Sequence, residues 1–220
     1  LTEAEREECR LVEAQLRAHG FMLGHFPQSF EYSTLGGWVV TRSSGQQSMQ
    51  YGRIEQMFAG GRMETPIGTL EIPTLPATGA GPDLRDVVLG SEGRFGVLTE
   101  VDVRVQALPE HESFHAAFFP EWQGAEEAVR ELAQARVPLS MLRVFNGEES
   151  AAYLALAGKP ELVRWLERYL GWRGCRDGKC WLTMGVTGTR AAARFTLPQA
   201  RRVLARHGGV YLGTPLGHKW

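Results

Sequence analysis

The chain has 220 residues, 43% of them hydrophobic, enough to bury one large core or two small ones. Lys plus Arg number 24 and Asp plus Glu 25, and the resulting net charge of −1 gives no field favouring nucleic acid or an anionic membrane. Three cysteines do not suggest a disulfide framework, no apolar run approaches the ~20 residues of a membrane span, and no signal-peptide pattern is present.

Thr2-Glu3-Ala4-Glu5 has the form of a capping box, with Thr2 as N-cap. The helix it opens places Cys9, Val12 and Leu16 on one stripe and ends at Gly20. Residues 20–45 read as loop with short extended pieces. The runs Arg53–Glu64 and Gly68–Ile72 read as a hairpin around Thr65-Pro66-Ile67-Gly68, with Pro at the second turn position. The proline-rich stretch 73–82 is a loop, and Asp83–Leu89 a short helix. From Gly96 to Leu108 the alternation of Val97, Thr99, Val101, Val103 and Val105 predicts a strand with one buried face.

Pro109 to Glu112 read as a connection, after which the period changes. Strands are predicted at His115–Phe119, Leu139–Phe145, Cys180–Val186 and Val210–Leu212. Helices are predicted at Trp122–Ala135, Glu148–Ala157, Pro160–Leu170 and Thr189–His207, the last broken or restarted at Pro198. Without the two middle helices this is β-α-β followed by β-α-β, the ferredoxin-like pattern. Cys175 and Cys180 flank a turn, and no further zinc ligands stand near them. Reduced thiols and a cytoplasmic location are the expected reading. His111, His115, His207 and His218 share no metal spacing, and His207 at a helix end suits the dipole there. Arg190, Arg194, Arg201, Arg202 and Arg206 cluster near the end of the chain, with a solvated helix face the expected role.

The stretch Gly81-Pro82-Asp83-Leu84 to Gly90-Ser91-Glu92-Gly93-Arg94-Phe95-Gly96-Val97-Leu98-Thr99-Glu100 carries more information. Three glycines within seven residues allow a close backbone approach to a ligand; spacing alone leaves a plain glycine turn as the alternative. The residues themselves resemble the signature of FAD-linked oxidases of the vanillyl-alcohol-oxidase and p-cresol-methylhydroxylase type. A second block, Gly24–Gly45, resembles that family's second flavin-contacting segment, and Tyr51-Gly52-Arg53-Ile54-Glu55 follows in family order. The nearest subfamily is that of alkyldihydroxyacetonephosphate synthase and its bacterial relatives.

The resemblance implies an α+β architecture. Residues 1–109 would be the second subdomain of an FAD-binding domain, and 110–220 a ferredoxin-like substrate (cap) domain. A first FAD subdomain would precede Leu1, and a segment with a catalytic Tyr and His cluster would follow Trp220. It implies non-covalent FAD contacted by Gln28, Ser29, Ser33, Thr34, Gly36 and Gly37, then by Thr41, Arg42, Ser43 and Ser44, and last by Glu92, Gly93, Gly96, Val97 and Leu98. Arg42 would meet phosphate charge, Trp38 would be core, and His25 would be structural. Arg143, within Ser140-Met141-Leu142-Arg143-Val144-Phe145-Asn146, matches an arginine that faces the flavin; alternation alone leaves it equally free to face solvent. The function implied is an FAD-dependent oxidoreductase or synthase acting on a small phosphorylated or carboxylated substrate. The alternatives are an FAD-dependent 2-hydroxy-acid dehydrogenase of the lactate or glycolate kind, and a non-enzymatic binding module. The expected parent is bacterial, with a small-molecule substrate, no nucleic-acid partner and no metal. A homodimer and peripheral membrane contact stay open.

Overall fold

The computed structural model describes residues 3–76, 79–156, 158 and 160–217, with side chains from residue 11 onward. Thr2 and His218, named above as an N-cap and a candidate ligand, lie outside the described residues. The chain divides into two compact units, Leu1–Leu108 and Pro109–Trp220.

In the first unit, helix α1 (Glu3–Ala18) leads into a two-residue strand β1 (Phe21–Met22) that pairs with β5 (Gln106–Ala107). Of the expected apolar stripe, Leu16 packs against the core of the first unit, and the side chain of Cys9 lies outside the described residues. Val12 and Leu16 are half-buried and Leu11 is exposed, whereas Glu13 is buried. Its carboxylate accepts from the N–H groups of Leu23 and Gly24, at 3.1 and 3.2 Å, where the chain leaves β1. Buried carboxylates need such partners, and here two backbone donors supply them.

The region expected to be loop contains a 3-10 turn at Phe30–Tyr32 and helix α2 (Leu35–Val40). Two glycines in six residues disfavour α2 by propensity. It forms because Thr34 caps it, accepting from Gly37 N at 3.1 Å, and because it buries Trp38 and Val39. Helices α3 (Ser48–Tyr51) and α4 (Ile54–Met57) follow, so the expected strand from Arg53 begins only at β2 (Phe58–Thr65). The hairpin with β3 (Gly68–Ile72) is as expected, and β4 (Val97–Val103) pairs on the other side of β2. Helix α5 (Leu84–Val88) is capped by Asp83.

Strand β4 departs from its sequence pattern in one informative way. Its register slips between the pairs Arg62↔Glu100 and Met63↔Leu98, a bulge at Thr99. Val101 and Val103 pack inward after the bulge, but before it Leu98 faces the core and Val97 is 68% exposed. One extra residue thus turns Val97 onto the outer face.

The second unit is a four-stranded antiparallel sheet in the order β7 (Met141–Phe145), β8 (Cys180–Gly188), β6 (His111–Phe119), β9 (Val210–Gly213). This is the ferredoxin-like order expected from the sequence. Helices α6 (Trp122–Gln134) and α9 (Arg190–Arg206) cover one face through Ala125, Ala128, Leu132, Ala200, Val203 and Leu204. The inserted α7 (Gly147–Leu156) and α8 (Pro160–Trp172) pack on the other, around Phe118, Phe145, Leu154, Leu170 and Trp181. Cover on both faces explains why neighbours Phe118 and Phe119 are both 0% exposed, a pattern alternation does not predict. Each contributes about 1.5–3 kcal/mol by burial. Asn146 caps α7 through a 2.8 Å bond to Glu149 N, and Ser150 ties α7 to the sheet by accepting from Trp181 N and donating to Phe145 O.

Helix α9 does not break at Pro198; it runs unbroken through it. Its buried row from Ala193 to Leu204 holds it to the sheet on both sides of the proline. His207 caps the C-terminus of α9 with its backbone N–H, and its imidazole meets two side chains of α6, Glu131 at 2.8 Å and Glu127 at 3.3 Å. Cys175 and Cys180 are free, buried on opposite faces of the sheet, and burial raises both thiol pKa values. Among the described residues no helix is long and apolar enough to cross a membrane, and no cluster of His, Cys, Asp and Glu could hold a metal.

Candidate functional site

The three runs predicted to contact the cofactor converge around α2. Glu92 N donates to Val40 O at 3.0 Å, tying the third run to the end of α2. Gly36 lies where an added Cβ would touch Leu98 at 3.4 Å, so the first run packs on the third. Gly90 stands against the Arg42 side chain, 3.1 Å from an added Cβ to Nε, which joins the second run to the third.

Most of the small hydroxyl residues are engaged within the protein. Ser33 Oγ donates to Ser29 O at 2.7 Å and accepts from Trp38 Nε1 at 2.7 Å. Thr34 caps α2, and Thr41 Oγ1 donates to Gly37 O at 2.8 Å. Ser43 Oγ lies 2.6 Å from His25 Nε2. Gln28, Ser29, Thr41 and Ser44 are exposed. Trp38 is core, as expected, stacked on Phe30 with centroids 5.6 Å apart. His25 is fully buried, edge-on to Trp38 at 5.0 Å, and burial pushes its pKa down to about 4. A neutral imidazole therefore holds Ser43 in place.

Arg42 is a backbone outlier, with φ 51°. Its guanidinium lies between Glu55 at 3.7 Å and Asp86 at 3.6 Å, and Arg53 Nη2 donates to its carbonyl at 2.8 Å. A phosphate at Arg42 would compete with two carboxylates. Glu92 also has a positive φ, 51°, and Gly93 follows at 77° with open space where a Cβ would stand. Gly96 differs: a Cβ there would overlap the Glu64 carbonyl of β2. Leu98 points into the core and Val97 out.

A surface cleft of about 430 Å³ lies along this segment, lined by Val87, Leu89, Gly90, Ser91, Glu92, Arg94 and Phe95. Val87 and Phe95 are 43% and 50% exposed. Ser91 Oγ is buried and has no hydrogen-bond partner among the described residues. Ser91 and Val87 were not among the residues predicted to contact the cofactor, although both lie inside or beside the signature stretch.

In the second unit, Arg143 is half-buried on edge strand β7, between buried Met141 and Phe145 on the same face. Its guanidinium carbon is 4.5 Å from the Phe145 ring centroid. Stacking occupies the flat face of the group and leaves its in-plane N–H donors available. Among the described residues no carboxylate pairs with it.

Comparison with known proteins bears on both units. A model of the FAD binding domain matches residues 8–72, and one of the C-terminal domain of FAD linked oxidases matches residues 108–213. An alkyldihydroxyacetonephosphate synthase from Dictyostelium discoideum is 35% identical over 95% of this chain and 35% of its own length. An uncharacterized FAD-linked oxidoreductase from Escherichia coli, YgcU, is 29% identical over 90% of the chain and 37% of its own length. A solved structure of alkyldihydroxyacetonephosphate synthase superposes with a TM-score of 0.86 at 34% identity, covering 97% of this chain and 39% of that one. The chain thus spans about a third of the length of the curated relatives it matches. With both family models matched in order and the fold shared at this identity, the chain belongs to the FAD-linked oxidases.

Proposed function

We propose that this chain is the flavin-contacting and substrate-facing part of an FAD-dependent synthase resembling alkyldihydroxyacetonephosphate synthase. Residues 1–109 would form part of the FAD-binding domain and 110–220 the cap. The observation that carries the reading is identity of 35% along 95% of the chain, beside an identity of only 29% to the E. coli oxidoreductase.

The residues present fit a flavin. An orphaned buried hydroxyl, Ser91 Oγ, borders a cleft whose rim is the exposed apolar pair Val87 and Phe95. A flat ring system with polar edges needs both kinds of neighbour. When bound, FAD supplies the electron-accepting ring on which the chemistry depends. The protein's part is to bind and orient. Glu92, Gly93 and Val97 would line the ring or its ribityl chain, with Gln28, Ser29, Thr34 and Ser44 as further polar contacts. Gly36, Gly37, Thr41, Ser43, Gly96 and Leu98 would hold those contacts in position. Arg42 would serve a pyrophosphate only by exchanging Glu55 and Asp86 for it. Arg143 would anchor a phosphate or carboxylate by charge-assisted bonds, its orientation fixed by Phe145. A bacterial cytoplasmic parent and a homodimeric assembly belong to the same proposal.

The test uses the full-length protein. It should carry a flavin absorbance spectrum, and Arg143→Ala should retain that spectrum while losing turnover. A colourless full-length protein that FAD cannot reconstitute would overturn the proposal in favour of a binding module. Turnover unchanged in Arg143→Ala would remove Arg143 from the site. Anaerobic bleaching by D-lactate or glycolate would move the reading to a 2-hydroxy-acid dehydrogenase.

A further inference from the structure

The arginines near the end of the chain are not equivalent. On α9, Arg206 pairs with Glu131, and elsewhere in the second unit Arg164 pairs with Glu161 and Lys179 with Glu167. Arg201 and Arg202 of α9, with Arg173 just past α8, have no carboxylate within ion-pair distance among the described residues. These three line one cleft of about 510 Å³ beside edge strand β9, together with Tyr211 and the backbone at Gly209.

Each guanidinium in the cleft is oriented by a neighbour that uses little of its donor capacity. Arg201 lies over the Tyr211 ring, 4.6 Å from its centroid. That ring is itself fixed, because its hydroxyl is 2.7 Å from Nδ1 of buried His115. Arg202 donates Nε to Pro198 O at 3.3 Å, and Arg173 donates Nη1 to Tyr169 OH at 3.1 Å. A guanidinium has five N–H donors, so most of the donors around the cleft are unspent. Like charges gathered without a counter-ion repel, and an oxyanion with several acceptor oxygens relieves this by charge-assisted bonds.

We propose that Arg173, Arg201 and Arg202 form a binding cleft for a phosphate-class anion, distinct from the site assigned to Arg143. A soluble phosphate ester and a phospholipid headgroup present the same chemistry. The rows of carboxylates on α6 that hold His207 and Arg206 do not reach the three arginines by ion pairing, which leaves the cleft's charge uncompensated.

The test compares the full-length wild type with two exposed double variants on one helix, Arg201→Gln/Arg202→Gln and Arg190→Gln/Arg194→Gln. Calorimetric titration with inorganic pyrophosphate should show saturable binding that weakens with salt. Its Kd should rise at least about tenfold in the first variant and stay unchanged in the second. Co-sedimentation with phosphatidylcholine vesicles, with and without phosphatidylglycerol, separates the sources. Retention on the anionic vesicles, lost in the first variant, assigns a headgroup; pyrophosphate binding without retention assigns a soluble phosphate ester. Binding of neither probe, or equal losses in both double variants, overturns the proposal. Should the first variant melt early by circular dichroism, Arg173→Gln from outside α9 replaces it under the same criteria. None of these readouts depends on flavin, so they stand or fall apart from the oxidase reading.

Discussion

Acidification should loosen the first unit through one residue, His25. Its ring is fully buried against Trp38, and its pKa is pushed from 6.5 down to about 4 by burial. Between those values the unfolded chain holds a proton that the folded chain does not. Stability from neutral His25 is therefore complete above about pH 6.5 and is lost as pH falls toward about 4. For these two pKa values the loss from about pH 7 to about pH 5 is roughly 2 kcal/mol, rising to about 3 kcal/mol below pH 4. Hydrogen exchange read by mass spectrometry on peptides within residues 21–47, corrected for intrinsic rates, isolates this unit from the other. The opening free energy should fall by that amount in the wild type and stay nearly flat in His25→Asn, which cannot titrate. Depressed carboxylates such as Asp83 act lower, below their ordinary value of 3.8, so they do not fill this window. An equal fall in His25→Asn, or none in the wild type, would refute the argument. Because His25 holds Ser43 at 2.6 Å, flavin retention by the full-length protein should weaken over the same pH range.

Three further outcomes separate structural from ligand-facing residues. Gly96→Ala should destabilise the first unit by about 2 kcal/mol or more, since its Cβ must displace the Glu64 carbonyl and part β4 from β2; a urea melt measures it. Ser91→Ala should leave that melt unchanged or slightly higher, because a buried hydroxyl without a partner is removed, yet should lower flavin retention in the full-length protein. Ser150→Ala should cost the second unit about 1–3 kcal/mol in the same assay, by stripping partners from Trp181 N and Phe145 O.

The second unit was legible because each element carries its own period. Strand and helix alternate with turns at glycine, and the order β7-β8-β6-β9 is the one that two β-α-β units give. The first unit was less legible, for three physical reasons. Helix α2 contains Gly36 and Gly37, and propensity speaks against it, whereas the Thr34 cap and the fit of Gly36 on Leu98 decide for it. Helix α1 is anchored by Glu13, a residue type that periodicity assigns to solvent. Strand β4 reads in sequence as one alternating strand, but the bulge at Thr99 divides it, and its only trace in Val97-Leu98-Thr99-Glu100 is apolar Leu98 standing out of phase with Val101 and Val103. The candidate site falls where these misreadings fall. Local rules are most often broken where the chain is shaped for something beyond its own packing.

The glycine-rich signature shows what this implies for assigning sites from motifs. Gly96 is required by the Glu64 carbonyl, and Gly90 makes room for the Arg42 side chain. The first is demanded by the fold, whatever ligand is present; at Gly90 the Arg42 side chain can yield, and the φ of 77° is what disfavours a side chain. Gly93 has φ 77° and open space at the Cβ position, so only its backbone conformation disfavours a side chain. Gly93→Ala should then cost about 1 kcal/mol in stability, with the added methyl projecting toward solvent or a ligand. A loss of flavin larger than the loss of stability accounts for would mark Gly93 as a contact. For Gly96→Ala the two losses should track each other. The ratio of those two quantities, residue by residue, is what distinguishes a cofactor contact from a glycine that the sheet itself needs.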